Sequence, residues 1–150
     1  MANLSGSSTA EIDAPLADVW AVVQDVESAP EWQGGLNALR ALDRDEEGRP
    51  TRCETETDAK IRSVKSIVRF SYDGPERLTW TQEKGDLKSV NGSWELGDLG
   101  GGRTRATYSI EVDLGRTLGM LVRGPMVDLL RHMLAGARAD ELKQRIESGA

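Results

Sequence analysis

The 150-residue chain contains one cysteine and one histidine, and that scarcity removes two kinds of chemistry at once. A lone Cys53 cannot build an internal disulfide framework. Together with His132 it makes too few soft or nitrogen ligands for a zinc cluster. No run of about 18 apolar residues occurs, so no segment is read as a membrane span and no stable membrane insertion is expected. Basic residues are outnumbered, with 19 Lys and Arg against 25 Asp and Glu and a formal net charge of −6. Nucleic acid is therefore not an expected partner, because binding it requires a basic surface to neutralise phosphates. The first residues, MANLSGSSTAEI, lack both the basic start and the apolar stretch of a secretory signal, and a cytoplasmic location is expected. No nucleophile motif or phosphate-cradling glycine loop is present either. No metal and no cofactor are expected.

What remains has the balance of an ordinary folded protein, 38% apolar and 29% charged. One domain over residues 1–150, with its core at about 8–147, is expected from the absence of linkers, repeats and low-complexity tracts. Residues 7–13, SSTAEID, read as a strand. Pro15 suits the first turn of a helix, where its missing N–H is not needed. Leu16, Val19, Trp20, Val23 and Val26 then repeat at the spacing of one buried helical face, and Asp18 sits in the first turn, where the helix dipole favours a carboxylate. Pro30 and the Gly34–Gly35 pair end this region with a second short helical turn and a bend. Asp25 reads as a local cap or turn acceptor.

From about residue 36 to 113 the period becomes two, punctuated by DEEGRP, DGPE, KGD and GDLGGG, the pattern of an antiparallel sheet. A tight turn at Arg62–Ser63 predicts Ile61 opposite Val64, Ala59 opposite Ser66, Thr57 opposite Val68, Thr55 opposite Phe70 and Cys53 opposite Tyr72. Its other face carries Glu54, Glu56, Asp58 and Lys60, with Glu56 opposite Arg69. A second hairpin pairs Leu96 with Thr104, Trp94 with Ala106, Gly92 with Tyr108 and Val90 with Ile110. There Glu95 meets Arg105, and the Tyr108 ring is expected to shield Gly92. Between the hairpins Leu78, Trp80 and Gln82 alternate with polar residues. The chain then predicts one long helix over about 124–148. Its apolar stripe is Met126, Leu129, Leu130, Met133, Leu134, Ala137, Leu142 and Ile146, and Arg131, Arg138, Asp140, Lys143 and Arg145 fall on the other side. Gly136 marks a bend or a close approach. A curved sheet around a long amphipathic helix buries both apolar faces.

This order, with EIDAPLADVWAVVQDVESAPEW near the start and NGSWELGDLGGGRTRATYSIEV in the last hairpin, resembles the START-like (SRPBCC) superfamily, especially its polyketide cyclase/dehydrase and coenzyme Q-binding branch. The resemblance covers residues 8–147. It implies an α+β helix-grip fold: a curved antiparallel sheet of six or seven strands around a C-terminal helix, with two short helices after the first strand. It also implies a deep cavity for a lipid, sterol, polyketide, quinone or hormone.

The sheet pattern supplies candidate walls for such a cavity. Phe70, Tyr72, Trp80, Trp94 and Tyr108 are bulky inward residues; Cys53, Thr55, Thr57, Ala59, Ser66, Gly92 and Ala106 are small or polar ones that leave volume. Met126, Leu130, Met133 and Leu134 offer the helix side, and Gln82, Tyr72 and Tyr108 the placed polar groups. Trp20 is read as a core anchor and Trp32 as a wall or gate. Tyr72 and Tyr108 are the candidate proton donors if a reaction occurs. His132 is placed at the surface or rim, Glu54, Glu56, Arg69 and Arg105 on the outer face, and Arg123 near the cavity entrance. The expected function is binding of a hydrophobic small molecule for sequestration or transfer. The alternatives are a polyketide cyclase/dehydrase using the cavity as a template, and an interaction module without a ligand, its protein partner unknown.

Overall fold

The computed structural model describes residues 3–58, 63–122 and 124–148. The alternating segments form one seven-stranded sheet in the order β1-β7-β6-β5-β4-β3-β2, every pair antiparallel. Its strands are β1 (Asn3–Ile12), β2 (Leu36–Arg44), β3 (Pro50–Asp58), β4 (Ser63–Asp73), β5 (Arg77–Gly85), β6 (Ser89–Gly100) and β7 (Arg103–Asp113). The first strand thus lies beside the last.

Helix α1 (Leu16–Val23) buries Val19, Trp20 and Val23, as its spacing predicts. The Trp20 ring lies against Gly74, where a Cβ would come within 2.4 Å of it, so only glycine lets the indole reach this depth. A 3-10 turn, Val26–Glu31, follows and contains Pro30. Asp25 works here through its backbone: its carbonyl accepts from the Ser28 N–H and hydroxyl, while its carboxylate makes no cap.

Both hairpins keep the expected faces and change the expected partners. In the first, Thr57 lies opposite Val64, Thr55 opposite Ser66 and Cys53 opposite Val68, a slip of four residues. Side-chain direction has period two, so an even slip leaves every residue on its face. Ser63, expected in the turn, instead lies in β4 opposite Asp58, and Ala59, Lys60, Ile61 and Arg62 lie outside the described residues. Glu56 meets Lys65, and Arg69 lies opposite Arg52. Glu83 relieves that like-charge pair by binding both guanidiniums.

In the second hairpin Trp94 lies opposite Tyr108 and Leu96 opposite Ala106, a slip of two. The reason is the turn. Gly101 and Gly102 both have positive φ (63° and 75°), the geometry of a two-residue hairpin loop. The strands therefore run through most of GDLGGG, with an irregularity between Asp98 and Gly100. Glu95 faces Thr107 instead of Arg105, and Arg105 lies opposite Glu11 across β1. Gly92 is covered by Trp80, not Tyr108: a Cβ there would stand 2.2 Å from the indole.

The C-terminal helix is interrupted. A short α2 (Gly115–Leu121), which its two glycines hide from a propensity reading, precedes α3 (Pro125–Arg131), one π turn (His132–Gly136) and α4 (Arg138–Glu147). The cause of the π turn is a side chain from β1. The Ser8 hydroxyl donates to the Ala135 carbonyl (2.7 Å) and accepts from the Ala139 N–H (3.1 Å). Those two backbone groups would bond each other in an unbroken α-helix, so Ser8 is inserted into the ladder. A π turn holds an additional residue, and the buried stripe advances by one position. Ala137, expected inside, is half-buried, and Arg138, expected outside, is buried at 5% exposure. Leu129, also expected in the stripe, is 44% exposed. Gly136 is exposed, and a Cβ on it would crowd the His132 ring at 2.7 Å. At Gly6 a Cβ would stand 3.0 Å from the Ala135 Cβ, which shows how closely helix and strand approach.

Candidate functional site

Between the concave sheet face and the helices lies an apolar cavity of about 160 Å³. Ligand pockets commonly run to several hundred Å³, and an apolar hole of about 150 Å³ holds benzene. In this form the cavity matches a body of about one ring. Of the residues expected to line it, Trp32, Thr55, Thr57, Phe70 and Trp80 do so, as do Trp94, Tyr108, Leu130 and Leu134. Their rings form a connected wall. Trp32 and Trp94 have centroids 6.3 Å apart, Trp94 and Tyr108 4.9 Å, Tyr108 and Trp80 5.5 Å, and Trp80 and Phe70 6.0 Å.

Three expected lining residues are placed elsewhere. The Tyr72 hydroxyl donates to the Pro50 carbonyl, and the Arg49 guanidinium sits 4.5 Å over its ring, which draws the side chain to the β3 end of the sheet. Gln82 is held by Ser66, whose hydroxyl donates to it (2.8 Å), and by the Leu87 carbonyl, to which its amide donates (2.8 Å). Met126 packs half-buried against the cluster of Leu4, Val90 and Val112. The Met133 side chain and Arg123 lie outside the described residues. His132, Glu54, Arg69 and Arg105 are exposed and Glu56 is half-exposed.

The site also contains a group that the sequence reading put on the opposite face. Arg138 lines the cavity, donating to the Gly34 carbonyl and pairing with Glu141. The second Glu141 oxygen accepts the Gly34 N–H at 2.9 Å. Both backbone polar groups of Gly34 are thus gripped from α4, which fastens the bend after Trp32 to the helix. A signal for this existed in β1. Its inward positions read Leu4, Gly6, Ser8, Ala10 and Ile12, and a small-and-polar pair amid apolar residues marks a backbone approaching closely.

Burial pushes the Tyr108 phenol up to about 12, with the nearby Arg138 charge and hydrogen bond acting against it. Burial likewise raises Cys53 to about 11 and raises Tyr72. Tyr108 therefore keeps its proton at neutral pH. Two kinds of polar group stand out around the cavity. Thr55, whose hydroxyl donates to the Ser66 carbonyl (3.3 Å), joins Ser66 and Gln82 in a self-satisfied chain. Trp32 is different: its buried Nε1–H has no acceptor among the described residues. No helix among them is long and apolar enough to cross a membrane.

The architecture is shared widely. A START superfamily protein from Mycobacterium smegmatis superposes with a TM-score of 0.82 at 22% identity, over 97% of this chain and 99% of that one. The Zhui aromatase/cyclase from a Streptomyces species gives 0.75 at 16% identity, over 97% and 94%. A conserved protein from Geobacillus kaustophilus gives 0.76 at 14% identity, over 97% of each chain. These likenesses establish the fold. No curated protein matches the sequence. A family model described as "Polyketide cyclase / dehydrase and lipid transport" matches residues 4–147. With that match over nearly its whole length, on the helix-grip architecture just described, the chain belongs to the polyketide cyclase/dehydrase and lipid transport family of the START-like superfamily.

Proposed function

We propose that the protein binds an apolar small molecule in the cavity between its sheet and C-terminal helix, for sequestration or transfer. One observation carries this reading: a folded core of this size has left about 160 Å³ unfilled behind a wall of five connected rings. Interiors are normally packed with few voids larger than water, and an unfilled apolar hole costs stability in proportion to its volume. A bound molecule offsets that cost. Thermal unfolding with single-ring hydrocarbons such as toluene tests it. Tm rises with probe concentration, and Leu134→Trp, which fills the hole, abolishes the rise while leaving the protein folded. No protection by any single-ring probe overturns the reading.

A second reading, a cyclase or dehydrase, has one specific support. Tyr108 is a buried phenol that lines the cavity together with Arg138, and a tyrosine hydroxyl is among the groups that serve as general acids. The Zhui relative bears the name aromatase/cyclase. Under this reading Tyr108→Phe ends turnover of a polyketide chain, and Tyr72→Phe leaves it, because the Tyr72 hydroxyl is committed to Pro50.

A further inference from the structure

We infer that the solvent side of the cavity cover, α2 and α3, docks on an anionic lipid bilayer. Only the purpose of that contact, passing an apolar molecule between bilayer and cavity, rests on the reading above. Leu114 and Val122, which flank α2, line the cavity together with Leu130 and Leu134, so this stretch is a wall between cavity and surroundings. Three large apolar side chains are exposed among the described residues, and two of them stand on this wall: Met120 at 61% and Leu129 at 44%. The third, Leu99, lies near the turn between β6 and β7. A single exposed apolar residue, such as Leu99, is ordinary on a surface. Two on the short cover of an apolar cavity give that cover an apolar outer side as well as an inner one. The contact is peripheral, since no helix among the described residues is long and apolar enough to cross a bilayer.

Charge names the partner. The chain is acidic, with a net charge of −6, yet residues 114–132 contain three arginines and one acid, Asp128. Asp128 is itself paired with Arg131. Arg116 is exposed and has no ion pair or hydrogen bond among the described residues. Lys88 flanks the start of α2, where a Cβ on Gly115 would stand 3.7 Å from its own, and its side chain is 71% exposed beside Asp113. Arg123, the third arginine, lies outside the described residues. At physiological salt, charges more than about 8 Å away are largely screened, so the overall negative charge weighs less than the cations touching the surface. Apolar side chains combined with basic ones hold a peripheral element in the headgroup region. A folded protein is the poorer fit, because a stable protein interface buries at least about 1,000 Å² with matched shape. A bilayer takes up two separate apolar side chains without any matched shape.

Cosedimentation with vesicles tests the docking, comparing equal parts of phosphatidylglycerol and phosphatidylcholine with phosphatidylcholine alone. Two exposed cations at the surface, at about fivefold each, predict at least about tenfold stronger partition onto the anionic vesicles. Met120→Ser and Leu129→Ser should each weaken that partition about fivefold. Arg116→Ser should weaken it about fivefold and change partition onto the neutral vesicles less than about twofold. Leu99→Ser, an exposed apolar position away from the cover, should change neither. All four positions are at the surface, and an unchanged Tm checks that each variant is folded. No partition onto either vesicle, equal partition onto both, or an equal loss with Leu99→Ser overturns the inference. Binding of soluble polyglutamate without binding of vesicles also overturns it, and assigns the cover to an acidic protein. Protection by toluene decides the cavity reading separately. Protection without vesicle partition removes the docking and leaves the cavity; partition without protection does the reverse.

Discussion

The two halves of the C-terminal helix share a direction and little else. α3 buries only Leu130 among its described side chains, leaves Leu129 exposed, and reaches β1 through Arg131, which donates to the Ser5 carbonyl. α4 buries Arg138, Ala139 and Leu142. It also reaches outward: Lys143 donates to the Glu11 carbonyl, Glu147 accepts the Asp13 N–H, and Arg145 pairs with Glu31. The π turn divides the two. On one side the helix covers the cavity with a thin apolar edge, and on the other it is fastened to β1 and to the bend after Trp32. Local stability follows buried contacts and protected hydrogen bonds, so α3 opens more readily than α4. The half carrying Arg138 is the fixed half, which suits a group that must hold its position.

This contrast can be broken by substitution. Leu142→Ala, at a fully buried position, should cost about 3–4 kcal/mol in denaturant unfolding. Arg138→Ala strands Glu141 and the Gly34 peptide and should cost about 3 kcal/mol, the low end for a broken buried pair because Glu141 is partly hydrated. Ser8→Ala should cost about 1–2 kcal/mol, with amide exchange accelerated at Ala139 before the rest of α4. Equal protection at Ala139 in wild type and variant would show that Ser8 does not hold the π turn. Alkali gives a smaller, graded effect. An unfolded tyrosine loses its proton near 10 while folded Tyr108 keeps it to about 12, so the folded state binds more protons in that window. Stability is then complete below pH 10 and declines as pH rises towards 12. Cys53 adds the same trend between its ordinary 9.0 and about 11. Tyr108→Phe should flatten the fall in Tm above pH 10. Smallest of all, Leu129→Ala on α3 should change stability by less than about 0.5 kcal/mol; a loss comparable to Leu142→Ala would erase the distinction between the halves.

The faces of the sheet were legible because alternation is a local property, and so Trp94, Tyr108, Phe70 and Trp80 were placed correctly on the concave side. Partners were not. A slip of two or four residues preserves every face, and what set the second register was the positive φ of Gly101 and Gly102, inside a glycine run with several possible turns. The helix stripe was read correctly at Leu130, Leu134, Leu142 and Ile146 and missed at Leu129 and across the π turn, at Ala137 and Arg138. In HMLAG only Gly136 pointed to an irregularity, and the cause of the π turn is a hydroxyl at Ser8, far away in the chain. The misphasing hid Arg138, the one charged side chain buried in the site among the described residues. Tyr72 and Gln82 were sorted by their faces alone, and their committed hydrogen bonds are tertiary facts.

The placement of β1 has a consequence for biosynthesis. That strand bonds only to β7 within the sheet, and its serine meets a helix more than a hundred residues later. A chain emerging from the ribosome therefore makes its first strand long before any partner for it exists. Pairings this distant in sequence make folding slow. Until β7 is made, SSTAEI is an unpaired strand, and the alternating polar residues Ser7, Thr9 and Glu11 disfavour its pairing with another strand first. The pole of the cavity is completed last, when Ser8, Gly34 and Arg138 first come within reach of one another.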